Sequence, residues 1–164
     1  MRQVIFATGN EGKMKEIREI LNGTDFEALS LKEAGITVEI EENGSTFEEN
    51  ALLKAEGIRD WCRENGIPSF PQIAGDQVIV LADDSGLEVD ALNKEPGIYS
   101  ARYLGHDTSY REKNANIIAR LDGVSKERRT ARFVCAIAAA FPDGTSKTAL
   151  GTIEGYIGWE ERGT

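Results

Sequence analysis

Two segments of the sequence place chemically active side chains directly after apolar, strand-like runs. The first is Thr8-Gly9-Asn10-Glu11-Gly12-Lys13, which follows Val4–Ala7. The second is Asp83-Asp84-Ser85-Gly86, which follows the apolar run Gln77–Ala82. Because ligand sites in α/β sheets lie beyond the carboxyl ends of strands, both segments are candidates for binding and catalysis.

The first segment leads into a predicted helix, in which Met14, Ile17, Ile20 and Leu21 recur at helical spacing. A helix N-terminus offers unpaired N–H groups and partial positive charge, which suit a phosphate, and Lys13 adds a full charge. The spacing is not that of a Walker loop, since only two residues separate the glycines and no Ser or Thr follows the lysine. These residues alone leave open both a phosphate site and a simple strand-to-helix turn.

The second segment contains two adjacent carboxylates, which repel each other unless a proton or a cation relieves the repulsion. Mg²⁺ prefers carboxylate oxygens and commonly bridges to substrate phosphates. The Asp83-Asp84 pair therefore indicates either a magnesium site or an Asp-rich turn whose side chains are solvated.

An acidic stretch and a lysine add to this set of candidates. We expect most of its glutamates to be solvated or to cap the following helix, and one of them could supply a third metal ligand. The stretch contains Glu39, Glu41, Glu42, Glu48 and Glu49. Lys54 would reach a site only if the first turns of that helix face inward.

Alternating helices and strands followed by a hairpin predict a mixed α/β sheet that positions these residues. The apolar stripe of the longest helix and its capping boxes at Ser45 and Thr46 are strong local signals. That stripe comprises Phe47, Ala51, Ala55, Ile58 and Cys62, and the helix is predicted to end near Asn65-Gly66. The remaining predictions are strands at 4–7, around 36–40 and at 77–82, a helix between Ser109 and Gly123, and a hairpin of 131–141 with 147–157.

Composition excludes several classes of partner. The chain has 164 residues and a net charge of −9, so neither nucleic acid nor an acidic membrane surface is an expected partner. The basic cluster of Lys126, Arg128, Arg129 and Arg132 is interrupted by Glu127, and we expect a solvated loop before a strand. Two cysteines with no paired spacing predict buried free thiols. No membrane span or signal peptide is expected, so the predicted location is the cytoplasm.

Four motifs in a specific order resemble the inosine triphosphate pyrophosphatase family. They are ATGNEGK at 7–13, GSTFEENALLKA at 44–55, LADDSGLEVDAL at 81–92 and PGIYSARY at 96–103. The resemblance implies an elongated mixed sheet with two α/β lobes and a central cleft, a fold related to the Maf-type pyrophosphatases. It also implies Mg²⁺-dependent hydrolysis of ITP, dITP or XTP to the monophosphate and pyrophosphate, by a homodimer.

The same resemblance implies roles for individual residues. Thr8, Asn10, Lys13 and Lys54 would hold phosphate groups, with Gly9, Glu11 and Gly12 completing the loop. Glu41 would bind the metal together with Asp83 and Asp84, Asp84 would also be the proton acceptor, and Ser85 would touch the substrate.

We expect residues 1–164 to form one such domain that is incomplete at its C-terminus. Family members continue through a glycine-rich segment resembling GGFGYDPIF and a Ser-His-Arg motif, and neither is found in this sequence. Two other functions remain open. One is a Maf-like pyrophosphatase with another base preference, and the other is a nucleotide-binding protein without turnover.

Overall fold

The computed structural model describes residues 2–8, 11–102 and 109–159. Its strands are β1 (Arg2–Ala7), β2 (Phe26–Ser30), β3 (Ile79–Val89), β4 (Glu95–Pro96), β5 (Thr130–Ala140) and β6 (Ser146–Tyr156). Its helices are α1 (Glu11–Leu21), α2 (Leu31–Ala34), α3 (Phe47–Asn65) and α4 (Tyr110–Arg120), with 3₁₀ turns at Asp90–Leu92, Gly97–Arg102 and Lys126–Arg128. Within these described ranges, no helix has both the length and the apolar character that crossing a bilayer requires.

The strands form one six-stranded sheet in the order β2-β1-β3-β5-β6, with β4 paired to β3. Strand β1 runs parallel to both β2 and β3, whereas β4 is antiparallel to β3. The predicted mixed α/β class is therefore confirmed.

The chain divides into two compact units. The first unit is Met1–Asp84 with Ala136–Ala149, and the second is Ser85–Cys135 with Leu150–Thr164. In the first unit, Phe6, Met14 and Ala28 form a core cluster that joins β1, α1 and β2. The core cluster of the second unit consists of Val89, Leu92, Ile117, Leu121 and Ala131.

Helix α3 agrees with its prediction at both ends and along its apolar stripe. The Thr46 hydroxyl accepts a hydrogen bond from the Glu49 N–H at 3.1 Å, and Gly66 ends the helix with φ of 73°. All five residues of the predicted stripe are buried. These signals are local, so the tertiary structure leaves them unchanged.

The stripe predicted for α1 is only partly correct. Met14 is buried, but Ile20 is 71% exposed. A short helix against one edge of a sheet buries a narrow face, and Ile20 lies outside it.

The strand predicted around 36–40 is wrong, and β2 with α2 precedes it instead. Ser30 caps α2 through a capping box, and Gly35 ends it in the left-handed conformation with φ of 76°. Ile36 is buried where its N–H donates to the Leu31 carbonyl at 2.9 Å. This segment buries aliphatic side chains but does not pair with another strand. Its composition favours a strand, but a strand forms only where a neighbouring strand supplies hydrogen bonds.

Strand β3 is longer than predicted, because it continues from Ile79 through the Asp83-Asp84-Ser85-Gly86 segment to Val89. Its first part pairs with β1 up to Ala82, and its end pairs with β4 at Glu88 and Val89. The two aspartates thus lie within a strand rather than in a solvated turn.

The prediction of a solvated basic cluster is wrong for Arg129, which is only 1% exposed. Its guanidinium donates to four backbone carbonyls of the second unit. Arg132 pairs with Asp90 and Glu154, each at 3.0 Å. Fixed hydrogen-bond acceptors, which the sequence does not reveal, hold these charges in place.

The two cysteines are free, as predicted. Cys62 is fully buried, and burial raises the pKa of its thiol to about 11. Cys135 is only half-buried.

Candidate active site

Parallel pairing of β1 with β3 brings the two candidate segments together in the first unit. Ala7 lies opposite Ala82, so Thr8 and Asp83 follow the same end of the paired strands. Helix α1 begins at Glu11, and Lys13 in its first turn forms an ion pair with the buried Asp83 carboxylate. The structure therefore joins the loop before α1 to the aspartate pair.

Helix α3 brings a second lysine to the same place. Lys54 Nζ donates to the backbone carbonyl of Asp83 at 3.1 Å and lies 3.2 Å from Glu42 Oε1. Two lysines therefore flank the aspartate pair, each with an acidic partner. Phosphate oxygens of a substrate could replace those carboxylates as partners of the lysines.

Asp84 has the environment expected of a proton acceptor. Burial raises the pKa of its carboxyl group to about 6. The Asn50 side chain and the charge of Lys54 oppose the rise, whereas the charges of Glu42 and Asp83 favour it. Its Oδ2 atom is buried and has no hydrogen-bond partner in the described part of the chain. A carboxylate with a pKa just below neutrality and one unpaired oxygen suits general base catalysis.

Burial of the charged Asp84 carboxylate should lower the free energy of unfolding. We expect Asp84→Asn to raise the free energy of unfolding of the metal-free protein at pH 7. A full shift from 3.8 to about 6 corresponds to about 3 kcal/mol, and we expect about 1 kcal/mol because the side chain is only partly buried.

The raised pKa means that the folded protein binds more protons than the unfolded chain between about pH 4 and pH 6. The contribution of Asp84 to stability therefore falls as the pH rises through this window. Denaturant titrations in EDTA at pH 4 and pH 7 measure the effect, and the advantage of the variant should shrink at pH 4. An equal difference at both pH values would contradict the prediction.

The same carboxylates can be tested for their fit to a divalent cation. The Asp84 Oδ2, which has no partner in the part of the chain that the structure describes, and the neighbouring charges of Asp83 and Glu42 favour such a cation. No group of three carboxylate, His or Cys side chains in residues 2–8, 11–102 and 109–159 is arranged to hold a metal alone. One or two carboxylates plus substrate phosphates are a common way of holding Mg²⁺. The donor set therefore fits a cation that binds together with a phosphorylated substrate.

The other predicted site residues have varied positions. Thr8 and Lys13 are half-buried, Glu11 and Gly12 are exposed, and Ser85 is half-buried in β3. Gly9 and Asn10 lie outside the described residues, as do Tyr103 and His106.

Glu41 is exposed and makes no ion pair or hydrogen bond within the described chain. Its metal-binding role stays a prediction.

One residue near the aspartates, Asn50, is absent from the predicted candidates, whereas Glu42 belongs to the acidic stretch of which one member could supply a metal ligand. Glu42 forms an ion pair with Lys54, and its charge raises the pKa of Asp84. Asn50 is 2% exposed, and its side chain lowers the pKa of Asp84 against the effect of burial. The sequence does contain a signal for Asn50. This residue lies three positions after Phe47, beside the apolar stripe of α3, and a buried polar side chain needs a hydrogen-bond partner.

A separate cavity of about 350 Å³ lies in the second unit, between α4 and strands β5 and β6. Most of its lining is apolar, and its charged groups include Arg132 and Glu154. Because these two side chains are already paired with each other, we assign the cavity no part in the chemistry above.

Comparison with known proteins matches residues 4–164 to the Ham1 family. The chain belongs to the Ham1 family. The predicted resemblance to nucleotide pyrophosphatases is confirmed, because curated Ham1-like relatives carry that activity in their names.

Two of these relatives are dITP/XTP pyrophosphatases of the genus Bacillus. The Bacillus subtilis protein is 44% identical over 163 residues, which are 99% of this chain and 75% of the relative. The Bacillus licheniformis protein is 46% identical over 164 residues, which are 100% of this chain and 76% of the relative. The chain thus spans about three quarters of the length of these relatives.

Solved structures of the Ham1 family agree with the fold. The Staphylococcus aureus Ham1 protein has a TM-score of 0.81 at 36% identity, covering 99% of this chain and 75% of that one. A HAM1 protein from Coxiella burnetii has a TM-score of 0.80 at 32% identity, covering 99% of this chain and 76% of that one.

Proposed function

We propose that this Ham1 chain hydrolyses non-standard purine nucleoside triphosphates (dITP, XTP and ITP) to the monophosphate and pyrophosphate. The observation that carries the proposal is Asp84. Its buried Oδ2 has no hydrogen-bond partner among the described residues, and two lysines lie in the same site. The dITP/XTP pyrophosphatase names of the Bacillus relatives supply the substrate class.

In the proposed reaction, water attacks the triphosphate and the anhydride bond between the α- and β-phosphates breaks. Asp84 accepts the proton of the attacking water, and the bond electrons leave with the pyrophosphate. Lys13 and Lys54 offset the negative charge that grows on the leaving group. Water supplies both the oxygen and the proton, so no other reactant is needed.

Mg²⁺ is the proposed cofactor, with Asp83 and Asp84 as its ligands and Glu41 as the third ligand that the family resemblance implies. When bound, it supplies charge neutralisation for the phosphates. A cytoplasmic location is also proposed, because both cysteines are free thiols and reducing compartments preserve such thiols. Assembly as a homodimer is proposed on the family resemblance alone.

The test is to incubate the protein with Mg²⁺ and dITP, XTP, ATP or GTP and to measure pyrophosphate and orthophosphate separately. We expect pyrophosphate from dITP and XTP, little product from ATP, and loss of turnover in EDTA that Mg²⁺ restores.

Other outcomes of this assay point elsewhere. Nucleotide binding without any product supports a binding protein without turnover. Preference for modified pyrimidine nucleotides supports a Maf-like activity. Release of orthophosphate as the first product contradicts all three functions, and persistent turnover in EDTA contradicts the proposed cofactor.

A further inference from the structure

The fourth motif of the sequence, at 96–103, has no part in the reaction proposed above, yet its 3₁₀ turn (Gly97–Arg102) packs directly on strand β3. The Ser100 hydroxyl accepts a hydrogen bond from the Leu87 N–H at 2.9 Å and donates one to the Gly97 carbonyl at 2.6 Å. One side chain therefore closes the turn and fastens it to the strand that carries the aspartate pair.

A glycine in β3 makes this close approach possible. A Cβ atom at Gly86 would collide with Ser100 Oγ, and it would lie 2.6 Å from the Gly97 carbonyl oxygen and 2.9 Å from Ser100 Cβ. No side chain fits in that space, so glycine at this position is what lets the turn lie against the strand. The contact falls on the two residues of β3 that directly follow Ser85.

The Ser100 contact lies where β3 leaves one strand partner and has not yet met the next. Strand β3 pairs with β1 up to Ala82 and with β4 at Glu88 and Val89. The stretch 83–87 between them, which contains the aspartate pair, belongs to neither ladder. Its backbone groups that would otherwise bond to β1 or β4 need other partners.

Two side chains supply such partners at the two ends of this stretch. Lys54 donates to the Asp83 carbonyl at 3.1 Å, and Ser100 accepts from the Leu87 N–H at the other end. Asp84 lies between these two points of attachment. The two hydrogen bonds therefore limit backbone movement on either side of its carboxylate.

We infer that Ser100 is a positioning residue, which holds the β3 backbone after Asp84 and so fixes the direction of the Asp84 carboxylate. The inference rests on the proposed function, in which Asp84 accepts the proton of water. A general base must be held within hydrogen-bonding distance of that water, and a misplacement of about 1 Å can cost about 100-fold in rate. Ser100 acts through the strand, and no contact with the substrate is assigned to it.

Steady-state kinetics of Ser100→Ala on the whole chain, with dITP and Mg²⁺, test this inference. Alanine keeps the Cβ atom but leaves the Leu87 N–H without its acceptor. We expect kcat to fall about 10–100-fold, the range typical of residues that orient a functional group. KM should change much less, because the two lysines proposed to bind phosphates are untouched. The double variant with Asp84→Asn should be no slower than Asp84→Asn alone.

Ser109→Ala is the matched control, because Ser109 also accepts a hydrogen bond from a backbone N–H, that of Glu112 at 3.2 Å, in the same unit. It loses one hydroxyl acceptor at the start of α4, so it should lower the melting temperature and keep kcat within about twofold of wild type. Gly86→Ala breaks the Ser100 contact from the side of the strand and serves as the test if Ser100→Ala does not fold. We expect it to lower kcat by at least about tenfold.

Amide hydrogen exchange tests the contact without any kinetic measurement. The Leu87 N–H should exchange slowly in the wild-type chain and faster in Ser100→Ala. The N–H of Val80, in the part of β3 that pairs with β1, should be equally slow in both. Because this readout does not depend on turnover, it separates a failure of the inference from a failure of the proposed function.

The possible results decide between these two failures. Wild-type kcat in folded Ser100→Ala, losses that multiply in the double variant, or an equal loss of kcat in Ser109→Ala would each overturn the positioning role. Rapid exchange of the Leu87 N–H in the wild-type chain would overturn it as well. Normal turnover by Asp84→Asn, with slow exchange at Leu87, would instead overturn the role of Asp84 in the proposed function. A loss of kcat in Ser100→Ala that disappears in the Asp84→Asn background supports the inference.

Discussion

Asp84→Asn is expected to lower kcat for dITP by about 10²–10⁴-fold, the usual contribution of a general base. Asparagine has nearly the same shape as aspartate, but it cannot take a proton from water. KM should change much less than kcat, because Lys13 and Lys54 remain in place to bind phosphates. Steady-state kinetics with separate measurement of pyrophosphate checks both expectations.

The matched control for this variant is Asp76→Asn, since Asp76 is an exposed aspartate in the same unit. It makes the same chemical change away from the site and should leave kcat within about twofold of wild type, as expected of an exposed residue away from special features. Asp84→Asn should also unfold at a temperature equal to or higher than wild type, because the raised pKa of Asp84 reflects a cost of burying its charge. Turnover by Asp84→Asn within threefold of wild type would remove Asp84 from the reaction.

Arg129→Met is expected to lower the free energy of unfolding by about 2–4 kcal/mol, a large part of the stability of a typical domain. The Arg129 guanidinium donates to the Ile157 and Gly158 carbonyls at 2.9 and 2.8 Å, and to the Leu121 and Val124 carbonyls at 2.8 and 3.4 Å. It therefore joins the ends of α4 and β6. No carboxylate in the described residues pairs with it, so these carbonyls and the Trp159 ring, whose centroid lies 4.5 Å from the guanidinium carbon, compensate its buried charge.

Methionine fills a similar volume but removes the guanidinium donors. The Leu121 carbonyl keeps the Val124 N–H at 3.0 Å, whereas the part-buried carbonyls lose a charge-assisted hydrogen bond, and a buried group left unsatisfied costs about 1–3 kcal/mol. Arg129→Lys should be intermediate, because one ammonium group cannot match a planar guanidinium with five donors. The control is Arg128→Met, since Arg128 is exposed and a surface change of this kind costs about 0.5 kcal/mol or less. Midpoints of urea denaturation followed by circular dichroism measure the difference. A loss below 1 kcal/mol in Arg129→Met would show that water replaces the arginine.

The elements predicted correctly are those whose signals are local. Helix α3 has a capping threonine, an apolar stripe and a terminal glycine within its own sequence. The N-cap of α4 at Ser109 likewise accepts from the Glu112 N–H at 3.2 Å, as its capping pattern predicts. Such contacts lie within a few residues, so their pattern can be read without a tertiary structure.

The elements predicted wrongly depend on partners distant in the sequence. The segment around 36–40 has the composition of a strand but pairs with none. The Asp83-Asp84 segment looks like a turn, yet β3 continues through it. Pairing with β1 and β4 holds this segment in a strand, and the ion pair from Lys13 offsets the charge of Asp83. Neither partner can be identified from the local sequence. Strand formation depends on neighbouring strands more than on intrinsic preference.

The sequence by itself determined the chemical inventory of this Ham1 protein: a glycine-containing loop with Lys13, an aspartate pair after an apolar run, and Lys54 on a capped helix. Only the tertiary structure decided which of these groups meet. It brought Glu42 to Lys54 and Asn50 to Asp84, and it buried Arg129 among carbonyls. The physical reason is that residue type fixes what a side chain can donate, accept or neutralise. Its burial, its partners and hence its pKa depend on chain segments that are brought together only by folding.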